Sequence, residues 1–178
     1  MAHYLTEVPR RYKLAFLFGC TQPDKNPATY LKGSLTNQWL HGHHWESTRP
    51  YIRRISARLE NRKHFHLLDF YTMGKLVHYI ADAFTFSHNH NFPAGLHAHR
   101  RYEAALQPYF LTLLQSSFRP LPITHRRIMD AVEHYHAYYL LGPPDFRKDF
   151  HFSVSVCCAA VRSLLENRPI IVADASPV

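Results

Sequence analysis

The 178-residue chain has no uninterrupted apolar run approaching the roughly 18 residues that a membrane-spanning helix needs, so no transmembrane segment is expected. Cysteine is scarce. Cys20 and the adjacent Cys157 and Cys158 make a poor disulfide framework and suit a reducing cytoplasm. The N-terminus Met1-Ala2-His3-Tyr4-Leu5-Thr6-Glu7 lacks a basic stretch followed by an apolar one. The expectation is a mature chain starting at or next to Met1, with no export signal and a cytoplasmic location. No stretch alternates apolar and polar residues over a strand's length, which argues against a sheet. No internal repeat is visible, and there is no run of histidines of the kind an expression tag leaves.

What is present points to one folded domain spanning 1–178, since 46% hydrophobic and 19% charged residues fit neither a disordered chain nor a membrane protein. The 21 lysines and arginines against 13 acidic residues give a formal charge of +8. That charge favours anionic partners: phosphates, nucleic acid or an acidic membrane surface. Fifteen histidines are the more unusual figure, because histidine is ordinarily a minor residue and is the commonest metal ligand.

Helical periodicity organises the chain into about five main helices, an all-α architecture. Arg10 to Cys20 is a short apolar segment ended by Gly19, and the turn chemistry of Thr21-Gln22-Pro23-Asp24-Lys25-Asn26-Pro27 predicts a loop presenting Asp24. Ser47 to Arg62 opens on Ser, Thr and Pro50 and carries Ile52, Ile55 and Leu59 on one face. Leu67 to Phe86 is apolar nearly all round and is the expected central buried helix. After the break Asn91-Phe92-Pro93-Ala94-Gly95, a helix is expected from His97 to Phe118, kinked at Pro108. Two more are expected over Ile123 to Leu141 and Phe146 to Glu166, separated by Gly142-Pro143-Pro144.

Polar groups on the central helix carry the functional signal. His78 and Asp82, four apart, project from the same helical face, as two metal ligands or a His–carboxylate pair must. A buried carboxylate needs compensation, because desolvating it unpaired costs several kcal/mol. Two readings satisfy that need: a metal ion, or a hydrogen-bonded core pair in which Asp82 accepts from the imidazole or from Tyr79. His88 follows six residues on, and His99 with Glu103 repeats the His-x-x-x-carboxylate spacing. Alone, that second pair would be a solvated helix-face pair; two such pairs flanking a third histidine favour zinc, which takes both nitrogen and carboxylate oxygen.

With these residues the chain resembles the bacterial zinc-dependent phospholipase C family, related to the zinc-dependent single-strand nucleases. The resemblance rests on His78-Tyr79-x-x-Asp82, on His88 six residues after that Asp, and on His99-Arg100-Arg101-Tyr102-Glu103. Upstream, Pro23-Asp24 and His43-His44-Trp45 match the family's Pro-Asp and His-x-aromatic segments in order. The resemblance implies that Asp24, His43, His78 and Asp82 hold one zinc, and that His88, His99 and Glu103 hold a second, in a polynuclear site between helices. His44 competes with His43 for its place. The resemblance also implies a third zinc, bridged by the counterpart of Asp82 and completed by an N-terminal amine and an early histidine, for which His3 with a freed Ala2 amine is the substitute here.

The implied activity is hydrolysis of a phosphate ester, phospholipase C-like, with Asp24 as metal ligand and general base. Expected substrate contacts are Arg100 beside the ligand helix, and Trp45 and Phe84 from an aromatic surround that also includes Tyr30, Trp39, Phe86 and Phe92. These aromatics would hold an acyl chain or stack a base, or serve as core. Two alternatives stand beside this reading: a zinc-dependent nuclease acting on single-stranded nucleic acid, and a zinc-binding structural or regulatory protein without turnover. His41, His90 and His97 are candidates for orienting ligands or are exposed loop residues. His64, His66, His125, His134, His136 and His151 read as surface or satisfied core residues.

Overall fold

A computed structural model describes residues 5–25, 44–92, 95–116, 118–166 and 170. Among them are six α-helices: α1 (Arg10–Lys25), α2 (Trp45–Glu60), α3 (Leu67–Ala83), α4 (Leu96–Leu114), α5 (Ile128–Tyr139) and α6 (Phe146–Leu165). A single 3-10 turn, Phe86–His88, follows α3. The only extended pairing among the described residues is an isolated bridge between Phe65 and Ile170. None of the described helices is long and apolar enough to cross a membrane.

α3 is the central helix the sequence predicts. Phe70, Met73, Leu76 and Ile80 on it have no exposed surface, and they belong to one hydrophobic cluster shared with α1, α2, α5 and α6. Its first turn is fixed by Asp69, a buried residue whose Oδ2 accepts the His66 N–H at 3.0 Å while Oδ1 pairs with Arg62 Nε at 3.2 Å. A carboxylate at that position also answers the positive end of the helix dipole.

The crossing of α1 over α3 positions the site. The two helices run in the same direction, so Tyr12 meets Phe70 at one end (ring centroids 5.1 Å) and Cys20 meets His78 further on. They approach closely because glycine faces glycine. A Cβ on Gly19 would sit 2.1 Å from the Tyr71 carbonyl oxygen, and one on Gly74 would sit 2.1 Å from that of Phe16. No side chain fits at either position without moving backbone.

This crossing corrects the expected loop at Thr21 to Pro27. α1 continues through Pro23 to Lys25, so Asp24 stands in the last helical turn. Gly19 serves close approach to α3 rather than termination, and the buried ring of Pro23 packs where its missing N–H would otherwise favour an end. Helix ends differ elsewhere too. α4 runs through Pro108 and stops at Leu114, short of Phe118. α5 starts at Ile128 rather than Ile123, because side chains take up the backbone groups before it. Leu121 N–H donates to Ser155 Oγ (3.0 Å), Ile123 C=O accepts from Arg162 (2.8 Å), and Ile128 N–H donates to Glu60 (2.6 Å).

α4 sits at the edge of the bundle. Of its described side chains Leu106 alone is buried, and it is fastened through aromatic edges, Tyr102 to Phe146 at 5.0 Å and Phe110 to Phe150 at 5.1 Å.

Candidate metal centre

His78 and Asp82 lie on the same face of α3, as their spacing requires, with His78 Nε2 3.2 Å from Asp82 Oδ2. The α1 crossing brings two further groups to the same imidazole. Cys20 C=O accepts a hydrogen bond from His78 Nδ1 at 2.9 Å, and Asp24 Oδ1 stands 3.4 Å from Nε2. The carbonyl accepts the Nδ1 proton and turns Nε2 toward two carboxylates, the orientation that a metal-ligating histidine receives from its partner. Cys20 enters through its carbonyl, and burial pushes its thiol up to about 11. Burial alone would lower the His78 pKa. Asp82, by charge and hydrogen bond, and then Asp24 outweigh it and hold the imidazolium to about 9.

The second group forms where the 3-10 turn meets α4. Glu103 Oε1 lies 2.9 Å from His88 Nε2 and 3.0 Å from His99 Nε2, and the two imidazole rings meet edge to face at 4.6 Å. One ligand atom from each of His88, His99 and Glu103 falls within 4.8 Å of the others. Burial favours the neutral form of Glu103, but hydrogen bonds from His88 and His99 overcome it and hold the carboxyl near 2. His88 is likewise raised: its deep burial opposes charge, and Asp82 followed by Glu103 outweighs that.

Asp82 joins the two groups, with Oδ2 toward His78 and Oδ1 3.9 Å from His88 Nε2. The arrangement suits zinc on chemical grounds. Atoms bound at about 2.0–2.2 Å to a tetrahedral ion lie about 3.3–3.6 Å from one another. The His78–Asp24 separation of 3.4 Å falls at this spacing and the His78–Asp82 separation of 3.2 Å just below it, whereas the Glu103 contacts of 2.9 and 3.0 Å are hydrogen-bond distances. Asp24, Asp82 and Glu103 each lie within 4 Å of a site imidazole, but among the described residues only His88, His99 and Glu103 bring one ligand atom apiece within 4.8 Å of the others.

The group opens into a cleft of about 610 Å³ lined by Asp24, Asp82, Thr85, His88 and Glu103 at one end and by Leu106, Gln107, Phe110, Leu111 and Leu114 along α4. Those α4 residues recur at helical spacing from Glu103, a signal readable in the sequence. The proposed ligands thus divide plainly. Asp24, His78, Asp82, His88, His99 and Glu103 are brought together, whereas His43 and His3 lie outside the described residues. His44 caps α2, its carbonyl accepting from Ser47 and Thr48.

The substrate contacts expected from sequence do not come to the cleft. Phe84 has no exposed surface and stacks in the core against Phe152, while Trp45 is buried face to face with His136 at 4.0 Å. Each fills a hydrophobic position next to the site, which is how an aromatic near ligand residues in sequence becomes core in space. Arg100 is exposed on α4 and does not line the cleft. His90 pairs with Glu46 at 3.5 Å on the surface, and His97 is exposed. His136 is a satisfied core histidine, bonded to Asn89 at 2.8 Å.

A family model described as zinc dependent phospholipase C matches residues 2–145, a span that includes every proposed ligand. No curated protein and no solved structure matches the chain.

Proposed function

We propose that this chain, which belongs to the zinc-dependent phospholipase C family, is a zinc-dependent phospholipase C-like phosphodiesterase. Asp24, His78 and Asp82, with His43, hold one ion; His88, His99 and Glu103 hold a second, and Asp82 lies between them. His3 remains the proposed partner of a third. The observation that carries this reading is the convergence of His88, His99 and Glu103 ligand atoms within 4.8 Å, adjoining the His78–Asp82 pair.

Bound zinc supplies a Lewis acid for the phosphoryl oxygens and brings the pKa of a bound water toward 7. The chain's own residues do the rest. Asp24, two-thirds exposed at the mouth of the cleft, accepts the proton of the attacking water. Its place on a helix supports a fixed base rather than one carried on a loop. Water oxygen bonds to phosphorus, the phosphorus–oxygen bond to the alcohol breaks, and the departing oxygen takes up a proton. Cys20 C=O keeps His78 in the tautomer that presents Nε2. Gln107, on the cleft wall, supplies a neutral donor for a phosphoryl oxygen.

The aliphatic wall of Leu106, Leu111 and Leu114 supports an acyl-bearing substrate over a nucleic acid strand. Three substrates separate the readings: phosphatidylcholine vesicles, bis-p-nitrophenyl phosphate and a single-stranded oligonucleotide, each with zinc and with a chelator. Zinc-dependent release of diacylglycerol is expected. Cleavage of the oligonucleotide alone makes the chain a nuclease, and zinc binding without turnover of any of the three makes it a structural or regulatory protein.

A further inference from the structure

The buried carboxylate of Asp149 has no part in the ligand set, and it lies four residues beyond the end of the family match at residue 145. It sits in the first turn of α6 with no exposed surface. Three donors converge on it. Oδ2 accepts the Tyr102 hydroxyl at 2.7 Å and the Phe86 backbone N–H at 3.2 Å, and Oδ1 accepts the Tyr139 hydroxyl at 2.7 Å. Both oxygens therefore act as acceptors, the pattern of an ionised carboxylate; burial pushes the carboxyl above its ordinary value, and the three donors and the start of the α6 dipole oppose that rise.

Those partners are not arbitrary parts of the fold. Phe86 opens the 3-10 turn whose last residue is His88, and Tyr102 precedes Glu103 on the helical turn that begins at His99. A single oxygen thus ties together the two elements that must meet if His88, His99 and Glu103 are to share an ion. The ties are needed because α4 is otherwise an edge helix held by aromatic contacts. Tyr102 is seated for the role by Phe86, Phe92 and Phe146, whose ring centroids lie 5.7, 5.9 and 5.0 Å from its own. Tyr139 comes from the other side, on α5, a helix that carries none of the proposed ligands, and it bonds the other carboxylate oxygen.

We propose that Asp149 is a positioning residue for the second metal position, clamping the His88 turn to the His99–Glu103 helix through Oδ2 while Tyr139 on Oδ1 anchors it to the core. The inference rests on the zinc reading above for its consequence, and on the hydrogen-bond geometry alone for its cause.

Two conservative variants separate the clamp from general stability. Tyr102→Phe and Tyr139→Phe each delete one hydroxyl bond to the same carboxylate and keep the ring. Titration of zinc against a chelator should show the ion at His88, His99 and Glu103 weakened about 10- to 100-fold in Tyr102→Phe and changed less than about 3-fold in Tyr139→Phe, with similar losses in Tm. Asp149→Asn, which faces one of its donors with an NH₂ group, should follow Tyr102→Phe. In zinc-free protein, the imidazole nitrogen resonances of His88 and His99 should shift in Tyr102→Phe and hold in Tyr139→Phe. Equal zinc weakening in the two tyrosine variants, or unmoved imidazole resonances in Tyr102→Phe, overturns the clamp. The resonance measurement judges it even if wild-type protein binds no zinc, a result that would instead remove the hydrolase reading.

Discussion

The two halves of the candidate metal centre are built by different means. The His78 half is made by backbone: α1 and α3 cross at Gly19 and Gly74, and that contact alone sets Cys20 C=O and Asp24 against the imidazole. The His88 half is made by side chains: a 3-10 turn and an edge helix are brought together through Tyr102, Asp149 and a set of aromatic edges. The difference shows that one mononuclear-looking motif, His-x-x-x-carboxylate, can be positioned by two unrelated kinds of packing. A backbone crossing tolerates little change at the contact. A side-chain clamp can be loosened by single hydroxyl groups without loss of the fold.

Asp82 belongs to both halves, so its loss should erase the distinction. Asp82→Asn is expected to lower phosphodiester hydrolysis by about 10³-fold or more and to weaken both ions, with the fold retained; steady-state kinetics and metal titration check it. A variant with intact activity would mean that the carboxylate serves only the core pair. Gly74→Ala should break one half alone. Its new Cβ meets the Phe16 carbonyl at 2.1 Å, so a cost of about 3 kcal/mol or more in denaturant unfolding is expected, with loss of the His78 ion before that of His88.

The pH dependence of the zinc-free protein sharpens the contrast further. His78 has a folded pKa of about 9 against an ordinary 6.5, so the folded state binds the extra proton between those values. Its contribution is complete below pH 6.5 and is lost as pH rises through 9. Glu103 runs the other way: held near 2 against 4.5, it contributes above 4.5 and loses that contribution as pH falls toward 2. Thermal unfolding from pH 3 to 10 should therefore show an alkaline decline reduced in His78→Gln, with the part due to His88 remaining, and an acid decline reduced in Glu103→Gln. The smallest effect is expected on the cleft wall. Leu111→Ala should raise KM for phosphatidylcholine about 10-fold and leave bis-p-nitrophenyl phosphate unchanged, because this exposed side chain lies along the apolar length of the cleft, away from its acidic end.

Much of this was legible in the chain itself. The all-α architecture, the buried α3 and both His-x-x-x-carboxylate pairs follow from periodicity of local sequence, and local spacing is what a helix converts directly into shared faces. Asp24 was legible as a candidate and does come to His78, but it was misplaced on a loop, since Gly19 and Pro23 read locally as breakers while Gly74, which Gly19 meets, is some fifty residues away. Trp45 and Phe84 illustrate a second limit: nearness to ligands in sequence does not say which side of a helix end faces the cleft and which faces the core. Asp149 is a third case, because its donors stand 47 and 63 residues earlier and no local pattern links them. Sequence spacing reports ligands that share a helix; it is silent on the carbonyl and carboxylate that hold those ligands in place.

The central claim is that two adjacent ligand groups each hold zinc. Metal content of purified protein, with His78→Ala and His99→Ala compared to wild type, tests it most directly. At least two zinc ions per chain are expected in the wild type, with His78→Ala and His99→Ala each losing one and keeping the other. A wild-type protein without bound zinc, or zinc content unchanged by both substitutions, would contradict it.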